Sequence, residues 1–84
     1  MYYVYLLKSK KDHGLYIGYT NNLKRRFEEH NQGMSLSTKN RIPLKLIFYE
    51  AFSNSTDARN REKYLKSGYG RDQLKNILKN TFKI

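Results

Sequence analysis

The 84-residue sequence contains no cysteine, which excludes disulfide staples and any cysteine-ligated zinc or iron–sulfur centre and fits a reducing cytoplasm. Its two histidines are too few to point to a zinc enzyme. Acid is scarce: seven Asp and Glu stand against seventeen Lys and Arg, for a formal net charge of +10. Long hydrophobic runs are missing too. The apolar start from Met1 gives way after Leu7 to Lys8, Lys10 and Lys11, too short and wrongly ordered for a signal peptide or a membrane span. Repeats and linkers are absent, and the length suits one domain over residues 1–84, with no room for a separate recognition module.

What is present is a small aromatic core and a large positive charge. Eight tyrosines and four phenylalanines supply the buried area that so short a chain needs, so disorder is not expected. The charge puts a positive potential over much of the surface and calls for a polyanionic partner. Because the basic residues run through the whole chain and form no juxtamembrane cluster, nucleic acid fits better than a membrane.

The chain divides by pattern. Tyr2 to Lys8 and Leu15 to Tyr19 read as strands of a hairpin with Ser9 to His13 as its loop. With Tyr5 opposite Tyr16, Val4, Leu6, Leu15 and Ile17 share an apolar face, while Tyr3, Tyr5, Tyr16 and Gly18 share one that carries phenols. Asn21 or Asn22 caps a helix from about Leu23 to Gln32, ended by Gly33, with Leu23, Arg26, Phe27 and His30 along one face. Met34 to Pro43 forms a loop of a length that is more often functional than incidental. Lys45 to Phe52 is a third strand. A helix from about Asp57 to Lys66, stopped by Ser67 and Gly68, sets Ala58, Glu62 and Leu65 on one side. A last helix, about Asp72 to Asn80, turns Leu74, Ile77 and Leu78 inward and Lys75, Lys79 and Lys83 outward. The order β-β-α-β-α-α implies an α+β fold, a small three-stranded antiparallel sheet flanked by helices.

Five short features occur in order: Tyr3-Val4-Tyr5, Tyr16-Ile17-Gly18, Arg26 ten residues beyond Tyr16, His30, and Glu62 in the middle of a strongly basic helix. Together they resemble the GIY-YIG nucleases over nearly the whole chain, above all the small single-domain bacterial proteins related to the nuclease part of the excision-repair machinery. Two positions depart from that pattern. Tyr3 stands where the family name has its first glycine, and Tyr19 where the excision-repair members often carry lysine.

Phosphodiester cleavage asks for a base to activate water, positive charge on the pentacovalent phosphate, and usually a metal at the leaving oxygen. Tyr5 and Tyr16 are the candidates for the base, provided neighbouring charge lowers a phenol from its ordinary value of roughly 10. Arg26 lies on an otherwise apolar stripe, where it is either a phosphate clamp or a snorkelling residue at the core edge. His30 reads either as a phosphate or tyrosine hydrogen-bond partner or as a structural histidine. Glu62 precedes Lys66 by four residues, the spacing of an ordinary helix ion pair; the resemblance implies instead that it binds one divalent ion, magnesium or manganese, completed by water.

The candidate nucleic-acid contacts are Gly18, Lys24, Lys39, Arg41 and Arg71. The reading is therefore an endonuclease acting on DNA in preference to RNA, with repair as the context the resemblance implies. Specificity is expected from self-association, such as a homodimer, or from a partner protein. The competing reading is a non-catalytic basic module that binds nucleic acid by charge and tyrosine stacking. A third, a structural protein of the ribosome or a similar complex, leaves the ordered motifs unexplained.

Overall fold

In the computed structural model, which describes residues 1–83, the chain folds in the order β1 (Tyr2–Ser9), β2 (Leu15–Thr20), α1 (Leu23–Asn31), a 3-10 turn (Lys39–Arg41), β3 (Leu44–Phe52), α2 (Ser55–Lys66), α3 (Gly68–Ile77) and α4 (Lys79–Phe82). Ile84, the last residue of the single domain expected over 1–84, lies outside the described residues. The sheet order is β2-β1-β3, antiparallel throughout, so β1 is central and the fold is the α+β arrangement expected. No described helix is long and apolar enough to cross a membrane.

The hairpin register differs from the expectation by two residues. Tyr5 faces Gly18 and Leu7 faces Tyr16, because β1 continues through Ser9 and only Lys10–Gly14 turn. Ser9 is drawn in by its own bonds: its buried hydroxyl accepts from Lys11 N and Asp12 N and donates to the Arg41 carbonyl at 2.6 Å. A shift of two preserves the faces, since side chains alternate with period two.

Both faces are packed. Val4, Leu6 and Ile17 meet Ala58 and Leu65 of α2 and Leu74 of α3. Tyr5, Leu7 and Leu44 form a second core with Tyr16, Leu23, Phe27, Ile42 and Leu46. The phenol face is thus also a core face, because α1 lays Leu23 and Phe27 across it. A bulge places Ile47 between the pairs Leu6↔Phe48 and Leu7↔Leu46, which sends Ile47 and Phe48 to the first core and Leu46 to the second. Leu15, expected on the apolar face of the hairpin, is instead largely exposed at the start of the edge strand.

Asn22 caps α1 by accepting from Arg25 N, and Gly33 leaves the helix at φ 76°. Asn54 caps α2 through Thr56 N and Asp57 N, two residues earlier than the sequence pattern suggests. Ser67 ends α2, yet Gly68 does not act as a stop: the Ser67 hydroxyl accepts from Gly70 N and caps α3, which therefore starts four residues before the expected Asp72. The tight corner depends on Gly70, where a Cβ would run into the Tyr64 carbonyl and the Leu65 backbone. Ile77, expected inward, is 49% exposed because α3 ends there and the chain turns into α4.

Candidate active site

Tyr5 projects from the central strand across the edge strand β2. Its ring and hydroxyl fill the space that a Cβ on Gly18 would need. The glycine thus makes room for a side chain of its own chain, and the close approach expected there of a nucleic acid is made by Tyr5. The phenol ends against α1, where its oxygen lies 2.8 Å from His30 Nε2, and the other ring nitrogen, Nδ1, lies 2.7 Å from Thr38 Oγ1. Tyr5, His30 and Thr38 are all essentially solvent-free. The Tyr16 ring leans on the same imidazole, 5.1 Å between centroids, and stands 6.4 Å from Tyr5.

Arg26, one turn before His30 on α1, gives Nη1 to Glu29 Oε1 at 3.2 Å and Nη2 to Ser35 Oγ at 3.5 Å. Its side chain is 32% exposed, so one edge remains open to a ligand. Burial acts to lower its pKa, but interaction with Tyr5 and the hydrogen bond to Glu29 outweigh that and hold it above the ordinary value. Burial pushes the Tyr5 phenol up to about 12; the Tyr16 phenol adds to this and Arg26 opposes it. Burial also pushes His30 down to about 4, with the Arg26 charge acting in the same direction. At neutral pH the centre is therefore a neutral phenol on a neutral imidazole beside a fixed guanidinium.

Glu62 comes from α2, which packs on the other side of the sheet. The charge of its carboxylate acts to raise the Tyr5 phenol, the smallest of the influences on that group. Glu62 also accepts from Lys66 Nζ at 3.1 Å, the ion pair its spacing foretells. Beside Tyr16 opens a groove of about 400 Å³ lined by Lys66, Arg71 and Lys75 together with Leu15, Ile17, Leu74 and Phe82. Arg71 is thus beside the site. Lys24 lies instead on a separate recess of about 540 Å³ with Tyr3, Phe27 and Tyr49, and Lys39 is exposed on the 3-10 turn. Arg41 is committed elsewhere, its Nε 2.9 Å from Asp12 Oδ2, which holds the Asp12 carboxyl down at about 2.

Three contributors escaped the sequence reading. Ser35 and Thr38, in the loop after α1, hold Arg26 and His30 from behind. Asn31 closes the loop by exchanging two bonds with the Leu44 backbone, 2.7 and 3.0 Å. The hydroxyl-rich composition of the loop was the available signal, but which hydroxyl meets which helix residue depends on the turn. Tyr19, where a lysine was the alternative, points to the opposite face from Tyr16; it stacks on Tyr2 at 6.3 Å with the Arg59 guanidinium 4.2 Å from its ring.

The class so defined is a small antiparallel α+β domain with a phenol–guanidinium site at the edge of its sheet. The chain belongs to the GIY-YIG family: the model of the GIY-YIG catalytic domain matches residues 1–76. Within it the chain is similar to the UPF0213 proteins, whose names specify no activity. A relative from Clostridium perfringens is 48% identical over 67 residues, covering 79% of this chain and 71% of that protein. Another from Staphylococcus haemolyticus is 40% identical over 77 residues, covering 90% and 93%. The solution structure of a UPF0213 protein from Bacillus halodurans matches with a TM-score of 0.58 at 33% identity, covering 100% of this chain and 97% of that one.

Proposed function

We propose that the protein is a divalent-metal-dependent endonuclease that hydrolyses phosphodiester bonds in DNA in preference to RNA. The observation that carries this reading is the meeting of Tyr5 and Tyr16 on His30 of α1, one turn from Arg26, with Tyr16 lining a groove that also takes Arg71, Lys75 and Lys66, the last paired to Glu62. A simple anion-binding module gains nothing from a carboxylate there.

Tyr16 is the better base of the two phenols. It is half-buried and opens onto the groove, whereas Tyr5 is enclosed and held in its protonated form. Tyr16, acting as the phenolate after its own proton has gone to solvent through the open groove, takes a proton from the attacking water, and Arg26 meets the charge that builds on the phosphate. Tyr5, kept neutral, serves as a hydrogen-bond donor within the site.

Glu62 is the residue that would hold the metal. Among the described residues no cluster of three His, Cys, Asp or Glu exists, so an all-protein zinc or calcium cage does not fit. A single carboxylate, paired to Lys66 of the groove, does fit magnesium or manganese, which keep most of their waters and share substrate phosphates. Such an ion supplies charge neutralisation at the leaving oxygen. Lys66 is then released from Glu62 to the nucleic acid. The cysteine-free chain suits work in a reducing cytoplasm.

Cleavage of labelled single-stranded, duplex and branched DNA with magnesium or manganese tests the assignment of the base. Tyr16→Phe is expected to lose about 10²-fold or more in rate, and Tyr5→Phe about tenfold, the worth of one hydrogen bond. The reverse order would make Tyr5 the base. Binding without cutting by the parent protein on every substrate would favour the basic nucleic-acid-binding module.

A further inference from the structure

We infer that the recess between α1 and β3 is a second nucleic-acid contact, which takes one unstacked base a short way along the strand from the phosphate at Arg26. The inference rests on the reading above for its partner, nucleic acid, and is independent of whether that nucleic acid is cut.

The recess and the candidate active site share one face of the sheet and lie on either flank of α1. Tyr49 stands directly opposite Tyr5 in the register of β1 and β3, and Tyr3 is two residues from Tyr5, so all three side chains leave the same face. Tyr5 runs toward β2, over Gly18. On α1, His30 meets Tyr16 of β2, whereas Asn31 bonds the Leu44 backbone of β3. Lys24 and Phe27 precede Asn31 at helical spacing and therefore look toward β3 with it. They line the recess together with Asn21, Leu46, Tyr3 and Tyr49.

The lining has the chemistry of a base-stacking site. Tyr3 and Tyr49 meet edge to face, 6.0 Å between centroids and 64° between planes, and Tyr49 remains 53% exposed at the margin of the sheet. Phe27 and Leu46 extend the apolar wall, and no carboxylate lines the space. At about 540 Å³ it falls within the usual range for ligand pockets, about 300–1,000 Å³. The side chains of Asn21 and Lys24 enter no hydrogen bond or ion pair with the described residues, which leaves an amide for a base edge and an ammonium for its phosphate. A nucleotide has the matching form, a planar aromatic ring joined to an anion. Tyr3 occupies the position of the first glycine in the family's name; a glycine there would remove one of the two rings.

The way from one site to the other is basic. The first turn of α1 carries Lys24, Arg25 and Arg26 and no acid. Since a helix with its side chains is about 10–12 Å across, a strand crossing that turn can set one phosphate at Arg26 and a base only a few nucleotides away between the tyrosines.

The test is fluorescence anisotropy of the full chain, without divalent metal, on two labelled strands of equal length and equal phosphate count: oligothymidylate, and a strand abasic at every position. The parent protein should favour oligothymidylate by about tenfold or more, and Tyr49→Ala should lose about tenfold on oligothymidylate but nothing on the abasic strand, the worth of one base stacked on an aromatic ring. Tyr49→Phe should bind as the parent does. Lys24→Ala should weaken both strands alike. Because Tyr49 is half-exposed on an edge strand, its removal spares the core. Equal affinity of the parent protein for the two strands would overturn the inference, as would a Tyr49→Ala loss that is the same on both. A parent protein that binds neither strand would overturn it together with the nucleic-acid reading. One that stacks the base but cuts no DNA would support it and overturn the nuclease reading alone.

Discussion

Tyr5 and Gly18 stand directly opposite one another on adjacent strands, and the phenol of the first occupies the place of the side chain that the second lacks. Gly18→Ala should push the Tyr5 ring off its track and break its bond to His30. Because the obstacle is a side chain that can swing, the stability loss should be only about 1 kcal/mol, within the usual cost of overpacking. Cleavage should suffer more, by tenfold or so, the worth of one lost site hydrogen bond. Thermal melts and single-turnover rates on the same preparation check both halves.

Gly70→Ala is expected to behave in the opposite way. Its Cβ would meet the backbone of Tyr64 and Leu65, which cannot move without opening the corner between α2 and α3. A loss of about 3 kcal/mol follows, at the upper end of the usual range for overpacking. Any protein that remains folded should cleave at the parent rate. Denaturant unfolding against activity per folded molecule separates this from Gly18→Ala.

The buried imidazole predicts an acid sensitivity with a definite sign. His30 is lowered in the fold from 6.5 to about 4, so the unfolded chain binds its proton first. The contribution is complete above pH 6.5 and is lost as pH falls toward 4, amounting to ~1–3 kcal/mol. The groups around the ring are Tyr5, Tyr16, Thr38, Arg26 and Glu29, of which only Glu29 is acidic, and it merely offsets part of the shift. Urea melts at pH 7 and pH 5 should reveal the loss in the parent protein, and a flatter dependence in His30→Gln.

Binding to DNA should weaken steeply with salt, and the slope should identify which cations reach phosphate. Arg71→Ala and Lys75→Ala, on the groove beside Tyr16, should each reduce the slope by about one. Arg41→Ala should leave it unchanged, because its charge is already spent on Asp12. Fluorescence anisotropy over a range of salt concentrations measures this.

Much of this architecture was legible in the sequence because it rests on period and punctuation. Alternation in β1 and β2 assigned the two faces correctly despite a register error of two residues, since that error leaves the faces unchanged. The helix stripe of Leu23, Arg26, Phe27 and His30 was likewise readable, and it does bring Arg26 and His30 to Tyr5. What could not be read was tertiary. Gly68 looked like a stop signal, but the Ser67 hydroxyl used it to start α3. Gly18 read as a candidate nucleic-acid contact, and the space its missing side chain leaves is taken by the Tyr5 ring. Thr38 was one hydroxyl among several in a polar loop, and only the turn that buries it makes it a partner of His30.

The most direct test of the central claim is metal-dependent cleavage of labelled DNA by the parent protein, Arg26→Ala and Glu62→Ala, each at saturating protein with binding measured in parallel. The account predicts that the parent cuts in magnesium or manganese and that both variants bind but do not cut. Undiminished cutting by either variant, or a parent protein that binds every substrate and cuts none, would contradict it.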